Sequence, residues 1–315
     1  WWEVPNDQRD DGRSALPDLD DPQLENINFA KRAILNADVI NAVSEQYAKE
    51  IMGREFGQDL HRILQNRQDR VYGIVNGIDY KDYDPKKDPG LIKNFAYYSS
   101  QHKVKNKLHL QKMFNLPQKK NIPLIVMVTR VIEQKGFDLI KDISDVMFRF
   151  KMQMIIIGDG DKRYMDKFKE LVKKYPDKFN ASFKWLPSKD TTKVYAGSDM
   201  LLMPSRFEPC GVMQMIAMRY GSIPIVRHVG GLIDTVNDYN PEYKTGNGFI
   251  FKKYDSRDMV VAMARALETY KHKQEWQELV EKVMRKSYSW EYPARKYSDL
   301  FKVAIKNHEK DLKGK

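Results

Sequence analysis

A single cysteine, Cys210, among 315 residues rules out any intrachain disulfide, so the chain is not a small cross-linked extracellular scaffold. Long apolar runs are also lacking. None approaches the ~18–20 residues that a bilayer-spanning helix needs. The start, Trp1-Trp2-Glu3-Val4-Pro5-Asn6-Asp7, has no basic stretch followed by an apolar one, as a secretory leader has. These absences predict a reducing, cytoplasmic setting without membrane insertion. No internal repeat or low-complexity tract is found. No histidine is arranged in sequence around Cys210, which favours a small buried residue at a tight turn over a nucleophile.

What is there describes an ordinary globular protein, with 42% hydrophobic and 31% charged residues. The length suggests about two domains. A formal net charge of +11 raises the question of nucleic acid. The densest basic stretches, 162–178, 271–286 and 302–315, interleave Lys with Asp and Glu at helical spacing, which is the pattern of a solvated helix face. No nucleic-acid role is therefore expected, and a basic surface that draws in an anionic small molecule is the better reading.

Residues 1–22 read as loop. From Leu24 to Leu35, apolar residues recur at three- and four-residue steps and predict a helix. The β-branched run 38–43 predicts a strand, with Ser44 capping a helix over 46–53. A second strand over 70–75 runs into the tight turn Asn76-Gly77-Ile78-Asp79. A first segment of 1–79 is set against a main domain of 80–290 and a C-terminal helix of 291–315.

In the main domain, apolar runs at 124–128, 154–157, 201–203 and 223–226 alternate with helical patterns over 141–150, 164–174 and 212–220. Strands that are apolar throughout and alternate with helices predict a parallel sheet covered on both faces, an α/β Rossmann-like domain. Ligands of such sheets bind beyond the carboxyl ends of the strands.

The residues found there suit a diphosphate. Arg130 follows the first of these strands, and Lys135-Gly136 comes five residues later. An arginine fork and a compact ammonium beside a close-approaching glycine can grip phosphate oxygens, although a basic pair in a loop is also an ordinary surface feature. Gly158-Asp-Gly160 follows the second strand and reads either as backbone approach to a ligand or as a plain turn. Pro204-Ser-Arg-Phe-Glu-Pro-Cys-Gly211 follows the third and leads straight into a helix, where bare N–H groups can face a phosphate. Glu208 there suits a sugar hydroxyl, or is simply an acid favoured at a helix start. Gly230-Gly231 follows the fourth strand, again at the start of a helical stretch.

Thr129-Arg130 with Gln134-Lys135-Gly136, the block Pro204–Gly211, Arg219-Tyr220-Gly221, Gly230-Gly-Leu232 with Asp234-Thr235-Val236, Asn247-Gly-Phe249 and Ser289-Trp290 resemble, in order, the glycogen and starch synthase family of retaining glycosyltransferases. The likeness covers residues 27–302. It implies the C-terminal, nucleotide-sugar-binding half of a GT-B fold, two Rossmann-like domains facing a cleft, together with the tail end of the second such domain. It also implies transfer of glucose from ADP-glucose or UDP-glucose to the non-reducing end of an α-1,4-glucan, with retention.

By that resemblance Arg130 and Lys135 hold the diphosphate and stabilise the departing nucleotide, and Glu208 bonds glucose hydroxyls. The amides around Cys210, Gly211 and Val212 meet the phosphate and sugar, and Asn76 approaches the reacting sugar. Trp185 lies by the base. Gly136, Gly158, Ser205, Gly230 and Gly231 complete the substrate-binding set. No metal and no cofactor is implied, since the nucleotide sugar is a substrate and the cations carry the charge.

The chain departs from the family at its start. The family's Lys-x-Gly-Gly loop and the histidine it supplies to the reacting sugar are not found, and Lys244-Thr-Gly-Asn-Gly248 lies on the wrong domain. The expectation is a fragment or one part of a split enzyme, with an N-terminal domain in trans. A non-catalytic nucleotide- or glucan-binding module and another retaining glycosyltransferase are the alternatives.

Overall fold

The computed structural model describes residues 10–184 and 186–313; the expectation placed on Trp185, and residues 1–9 of the expected loop, lie outside them. Two compact units form. One holds the described residues up to Asn76 with those from Glu291 onward, and the other is Gly77–Trp290.

The first unit opens with a 3-10 turn, Pro22–Asn26, and helix α1, Phe29–Asn36. The single helix expected over 24–35 is broken at Ile27. The cause is Asn28, whose side chain accepts from the Lys31 N–H at 2.9 Å and caps a new start. Asp10 ties the preceding loop down. Its buried carboxylate accepts from Arg32 at 2.7 Å and from the N–H groups of Gly12 and Asn28 at 3.0 Å each. The Arg32 guanidinium, with those two N–H groups, holds the carboxyl below the usual carboxylate range against the effect of burial. Strand β1 (Ile40–Ala42), α2 (Glu45–Glu50), α3 (His61–Asn66) and β2 (Val71–Gly73) follow, and the two strands pair in parallel. Ser44 caps α2 by accepting from the Tyr47 N–H at 2.8 Å.

The second unit is built on helix α4 (Lys103–Met113) and six parallel strands: β3 (Leu124–Val128), β4 (Gln153–Ile157), β5 (Phe179–Ser182), β6 (Met200–Met203), β7 (Ile223–Arg227) and β8 (Phe249–Phe251). The connecting helices are α5 (Phe137–Met147), α6 (Lys162–Lys174), α7 (Ser188–Gly197), α8 (Met213–Arg219) and α9 (Gly231–Thr235). After β8 come α10 (Ser256–Lys271) and α11 (Lys273–Arg285). Every residue of β3 and β4 is buried, as strands covered on both faces must be. The sheet order is β5-β4-β3-β6-β7-β8. The chain therefore works outward from β3 to one edge, returns beside β3 at β6, and continues to the other. The β3–β6 boundary is the topological switch point, where open α/β sheets present their ligand crevice.

Two elements differ from the sequence pattern. Helix α5 begins at Phe137 rather than near 141, because Gly136, with φ of 77°, turns the chain out of the 3-10 segment Glu133–Lys135 directly into the helix. The edge strand β5 carries no apolar run to announce it, since only Phe179 of its four residues is buried.

Two lysines, Lys107 buried and Lys103 half-buried, join the helices of this unit at the amino ends of the strands. Lys103 Nζ donates to Tyr195 O (3.1 Å), Ala196 O (2.9 Å) and Tyr220 O (2.6 Å), the carbonyls that close α7 and α8. Lys107 Nζ donates to Asp199 Oδ2 (2.5 Å), Tyr270 Oη (2.9 Å) and Lys120 O (3.1 Å). Both ammonium groups thus spend all three protons inside the fold.

The last helix, α12 (Glu291–Lys313), belongs to the first unit. There Asn41 Nδ2 donates to Tyr297 Oη at 3.1 Å, Asn307 Nδ2 to Asp38 O at 3.1 Å, and Arg70 pairs with Asp311 at 2.9 Å. Among the described residues no helix is long and apolar enough to cross a membrane.

Candidate active site

The loops after β3 and β6, neighbours at the switch point, meet along a series of short contacts. Arg206 N–H donates to Gln134 O at 2.8 Å, and Gln134 Nε2 donates to Phe207 O at 2.6 Å. Lys135 Nζ then reaches Glu208 Oε2 at 2.7 Å, and the same oxygen accepts from Ser205 Oγ at 3.0 Å. The Glu208 side chain is only 8% exposed and that of Lys135 16%. An acid and a cation so placed are held against one another, yet the ammonium keeps further protons for a second anionic partner.

The glycines mark where the loops cross. A methyl group on Gly136 would lie 2.2 Å from Pro204 O, and one on Gly230 would lie 2.0 Å from Glu208 O. Gly158 behaves in the same way toward Thr129 O (1.8 Å) and Gly231 toward Cys210 O (2.1 Å). The absence of side chains at these positions is thus already explained by packing of one loop on the next. Gly231 N–H also donates to Glu208 O at 2.9 Å, so that the backbone of Glu208 is held as well as its carboxylate.

The helix after this turn begins at Met213 rather than Val212, which is its cap. Gly211 has a φ of 66°, in the left-handed region that a tight reversal requires. Gly211 and Val212 are half-buried, and among the described residues their N–H groups have no hydrogen-bond acceptor. Cys210 is buried at the turn and is in no disulfide. Arg130, at the end of β3, is exposed, and no ion pair among the described residues occupies its guanidinium.

Lys135, Gly136, Ser205, Glu208, Cys210, Gly211, Val212, Gly230 and Gly231 are thus gathered at one end of one sheet, with Arg130 and Gly158 on the loops beside them. Asn76 belongs to the first unit. Trp185 lies outside the described residues.

The sequence reading passes over a cluster that borders this site. The Arg206 guanidinium stacks on the Tyr254 ring at 4.5 Å from its centroid, and Arg227 approaches that ring at 5.2 Å. Tyr254 Oη donates to Asp138 Oδ1 at 2.5 Å, and Arg206 pairs with Glu133 at 3.0 Å. Burial and then the Asp138 carboxylate push the phenol well above its ordinary value, so it stays a proton donor. Arg206 was visible only as a member of the Pro204–Gly211 block, and nothing in sequence links it to Tyr254.

Among the described residues no group of three or more His, Cys, Asp or Glu side chains is placed to hold a metal ion. What the arrangement offers is cations, unpaired amides and one buried carboxylate at the carboxyl ends of parallel strands. That is a receptacle for a ligand with both anionic and hydroxylated parts.

Comparison with known proteins gives the class. Residues 110–283 match the family model described as glycosyl transferases group 1, and the chain belongs to that family. Residues 4–66 match the starch synthase catalytic domain. Within that class the chain is similar to glycogen synthases. The chain is 44% identical to the glycogen synthase of Thermosipho africanus over 280 residues and 45% identical to that of Desulforudis audaxviator over 282 residues. Each alignment covers 89% of this chain and 58% or 56% of the relative, so the chain spans somewhat more than half the length of these proteins. Among solved structures, the catalytic domain of starch synthase IV from Arabidopsis thaliana, bound to ADP and acarbose, superposes with a TM-score of 0.82 at 34% identity. That match covers 89% of this chain and 58% of that one. The six-stranded parallel sheet is thus the Rossmann-like, C-terminal half of a GT-B glycosyltransferase fold.

Proposed function

We propose that the second unit is the donor side of a glucan synthase, which binds a nucleotide-linked glucose, ADP-glucose or UDP-glucose, for transfer to the non-reducing end of an α-1,4-glucan with retention. The single observation that carries this reading is the Lys135–Glu208 pair at 2.7 Å, set at the switch point of a group 1 glycosyl transferase sheet. The ADP in the starch synthase neighbour and the names of the glycogen synthase relatives point the same way.

In this mechanism the bond between the glucose C1 and the diphosphate oxygen breaks, and C1 joins the 4-hydroxyl oxygen of the glucan. The hydroxyl proton leaves with the nucleoside diphosphate. Negative charge builds on the departing diphosphate. Lys135, held against Glu208, and Arg130, at the end of β3, are the cations that stabilise it, and the N–H groups of Gly211 and Val212 add two unpaired donors. Glu208, held by Ser205 and Lys135, accepts from glucose hydroxyls and orients C1. With the charge carried by side chains, neither a metal nor another cofactor enters the reaction. A soluble, cytoplasmic enzyme is the setting that fits the reading.

The test is incorporation of labelled glucose into glycogen from ADP-glucose and UDP-glucose. It is run with the chain alone and with the N-terminal part of the Thermosipho africanus glycogen synthase supplied in trans, beside calorimetric titration of each donor. Activity only with that part present would support an acceptor-side domain in trans. Failure to bind either donor would refute the reading.

A further inference from the structure

We propose that Tyr254 is a positioning residue of the donor site. It sets the spacing of Lys135 and Glu208 through Arg206 and Asp138, and touches none of the groups assigned to the donor. The inference rests on the functional reading above.

Lys135 and Glu208 ride on separate loops, so their spacing depends on what holds those loops together. The direct link is Gln134, bonded to the Arg206 amide at 2.8 Å and to Phe207 O at 2.6 Å. Beside that link stands Tyr254, three residues beyond β8. Its hydroxyl holds Asp138 (2.5 Å), in the first turn of α5, which begins two residues after Lys135. Its ring carries the guanidinium of Arg206, two residues before Glu208. The same ring faces Arg227, at the end of β7, whose Nη1 donates to Ser205 O at 3.5 Å and more closely to Arg206 O.

One side chain therefore touches the loop after β6, the helix that follows the Lys135 loop, and the end of β7. Arg206 is further tied to Glu133 at 3.0 Å, on the Lys135 side. Removing the ring deletes the platform for Arg206 and the bond to Asp138 together. The Gln134 bonds, the Arg206–Glu133 ion pair and the Lys135–Glu208 pair itself then have to hold the two loops without that platform. Sugar recognition needs Lys135 and Glu208 at the same time, whereas a nucleoside diphosphate needs chiefly the cations and amides. Loss of the brace should consequently weaken nucleotide-sugar binding more than nucleotide binding.

The experiment compares Tyr254→Ala and Tyr254→Phe with the wild-type chain by two readouts. The first, independent of ligand, is NMR exchange of the Arg206 amide, which donates across the loops. Losing a stacked cation and a charged hydrogen bond should speed that exchange about tenfold or more in Tyr254→Ala, with β3 and β4 amides unchanged, while Tyr254→Phe stays within about threefold. The second is the ratio of affinities for ADP-glucose and ADP, expected to fall about tenfold in Tyr254→Ala and to be largely restored by phenylalanine. Unchanged Arg206 exchange, or exchange that rises equally throughout β3 and β4, would overturn the inference. So would a loss of affinity equal for the two ligands. If the wild-type chain binds neither ADP-glucose nor ADP, the functional reading fails, and the Arg206 amide still decides whether Tyr254 braces the loops.

Discussion

Lys135 Nζ lies 2.7 Å from Glu208 Oε2 although 73 residues separate them, because the loops that carry them leave adjacent strands of one parallel sheet. The pairing makes each group the other's support. It also makes the two variants distinguishable: removal of Lys135 leaves Glu208 with Ser205 alone, and removal of Glu208 leaves the ammonium free to turn.

Lys135→Ala should lower glucose transfer by ~10²–10³-fold, the usual cost of deleting a fixed group that stabilises developing charge. Steady-state kinetics with ADP-glucose on the active assembly checks this, and transfer at the wild-type rate would remove Lys135 from the mechanism. Glu208→Gln keeps the shape and should act mainly on the sugar, raising KM for the nucleotide sugar more than the inhibition constant for the free nucleotide.

Gly158→Ala should destabilise the second unit by about 2 kcal/mol or more, since its methyl group would meet Thr129 O at 1.8 Å with φ at 151°. A fall in thermal midpoint with no bound ligand is the expected result. An unchanged midpoint together with lost donor affinity would instead make Gly158 a ligand-approach glycine.

Asp199→Ala should be costlier. Asp199 Oδ2 accepts from Lys107 Nζ at 2.5 Å and from Leu124 N–H at 2.8 Å, and the Lys107 side chain is only 4% exposed. Leaving that ammonium without its carboxylate should cost ~3–5 kcal/mol, read from urea denaturation.

Lys103 gives a pH dependence. Burial, reinforced by Lys107 and opposed by Asp199, pushes its ammonium down to about 7 in the folded chain, while the unfolded chain keeps the ordinary lysine value. Between pH 7 and that ordinary value the unfolded state binds the extra proton. Stability contributed by this group therefore rises with pH through that window, by at most about 1.4 kcal/mol per unit, and is flat below it. Wild type should gain on Lys103→Met as pH is raised from 7 to 9.5 in thermal melts, and a constant difference would contradict the buried-ammonium picture.

Much of this protein is legible in its residues, and the reasons are local. The runs Leu124–Val128 and Gln153–Ile157 are apolar almost without interruption because both faces of their sheet are covered. Ser44 announces a helix start because its hydroxyl can reach only an N–H a few residues on. The loops that follow the strands hold the cations and the Glu208 turn, since open sheets expose that end. Where local signals compete, the reading slips: Asn28 divides one apparent helix, and Gly136 starts α5 earlier than the apolar spacing suggests.

The sequence by itself determined a parallel α/β sheet, the placing of chemistry after its strands, and a likeness to the glycogen and starch synthases. Only the tertiary structure decided which loops are neighbours. The position of β6 beside β3 depends on interstrand hydrogen bonds between residues about 75 apart, as between Ile125 and Met200, which no local preference encodes. From that adjacency follow the Lys135–Glu208 pair and the crossing of Gly136 over Pro204. The stacking of Arg206 on Tyr254 depends likewise on β7 and β8 completing the same sheet edge. A side chain's partner across such a distance is set by where the whole backbone comes to rest.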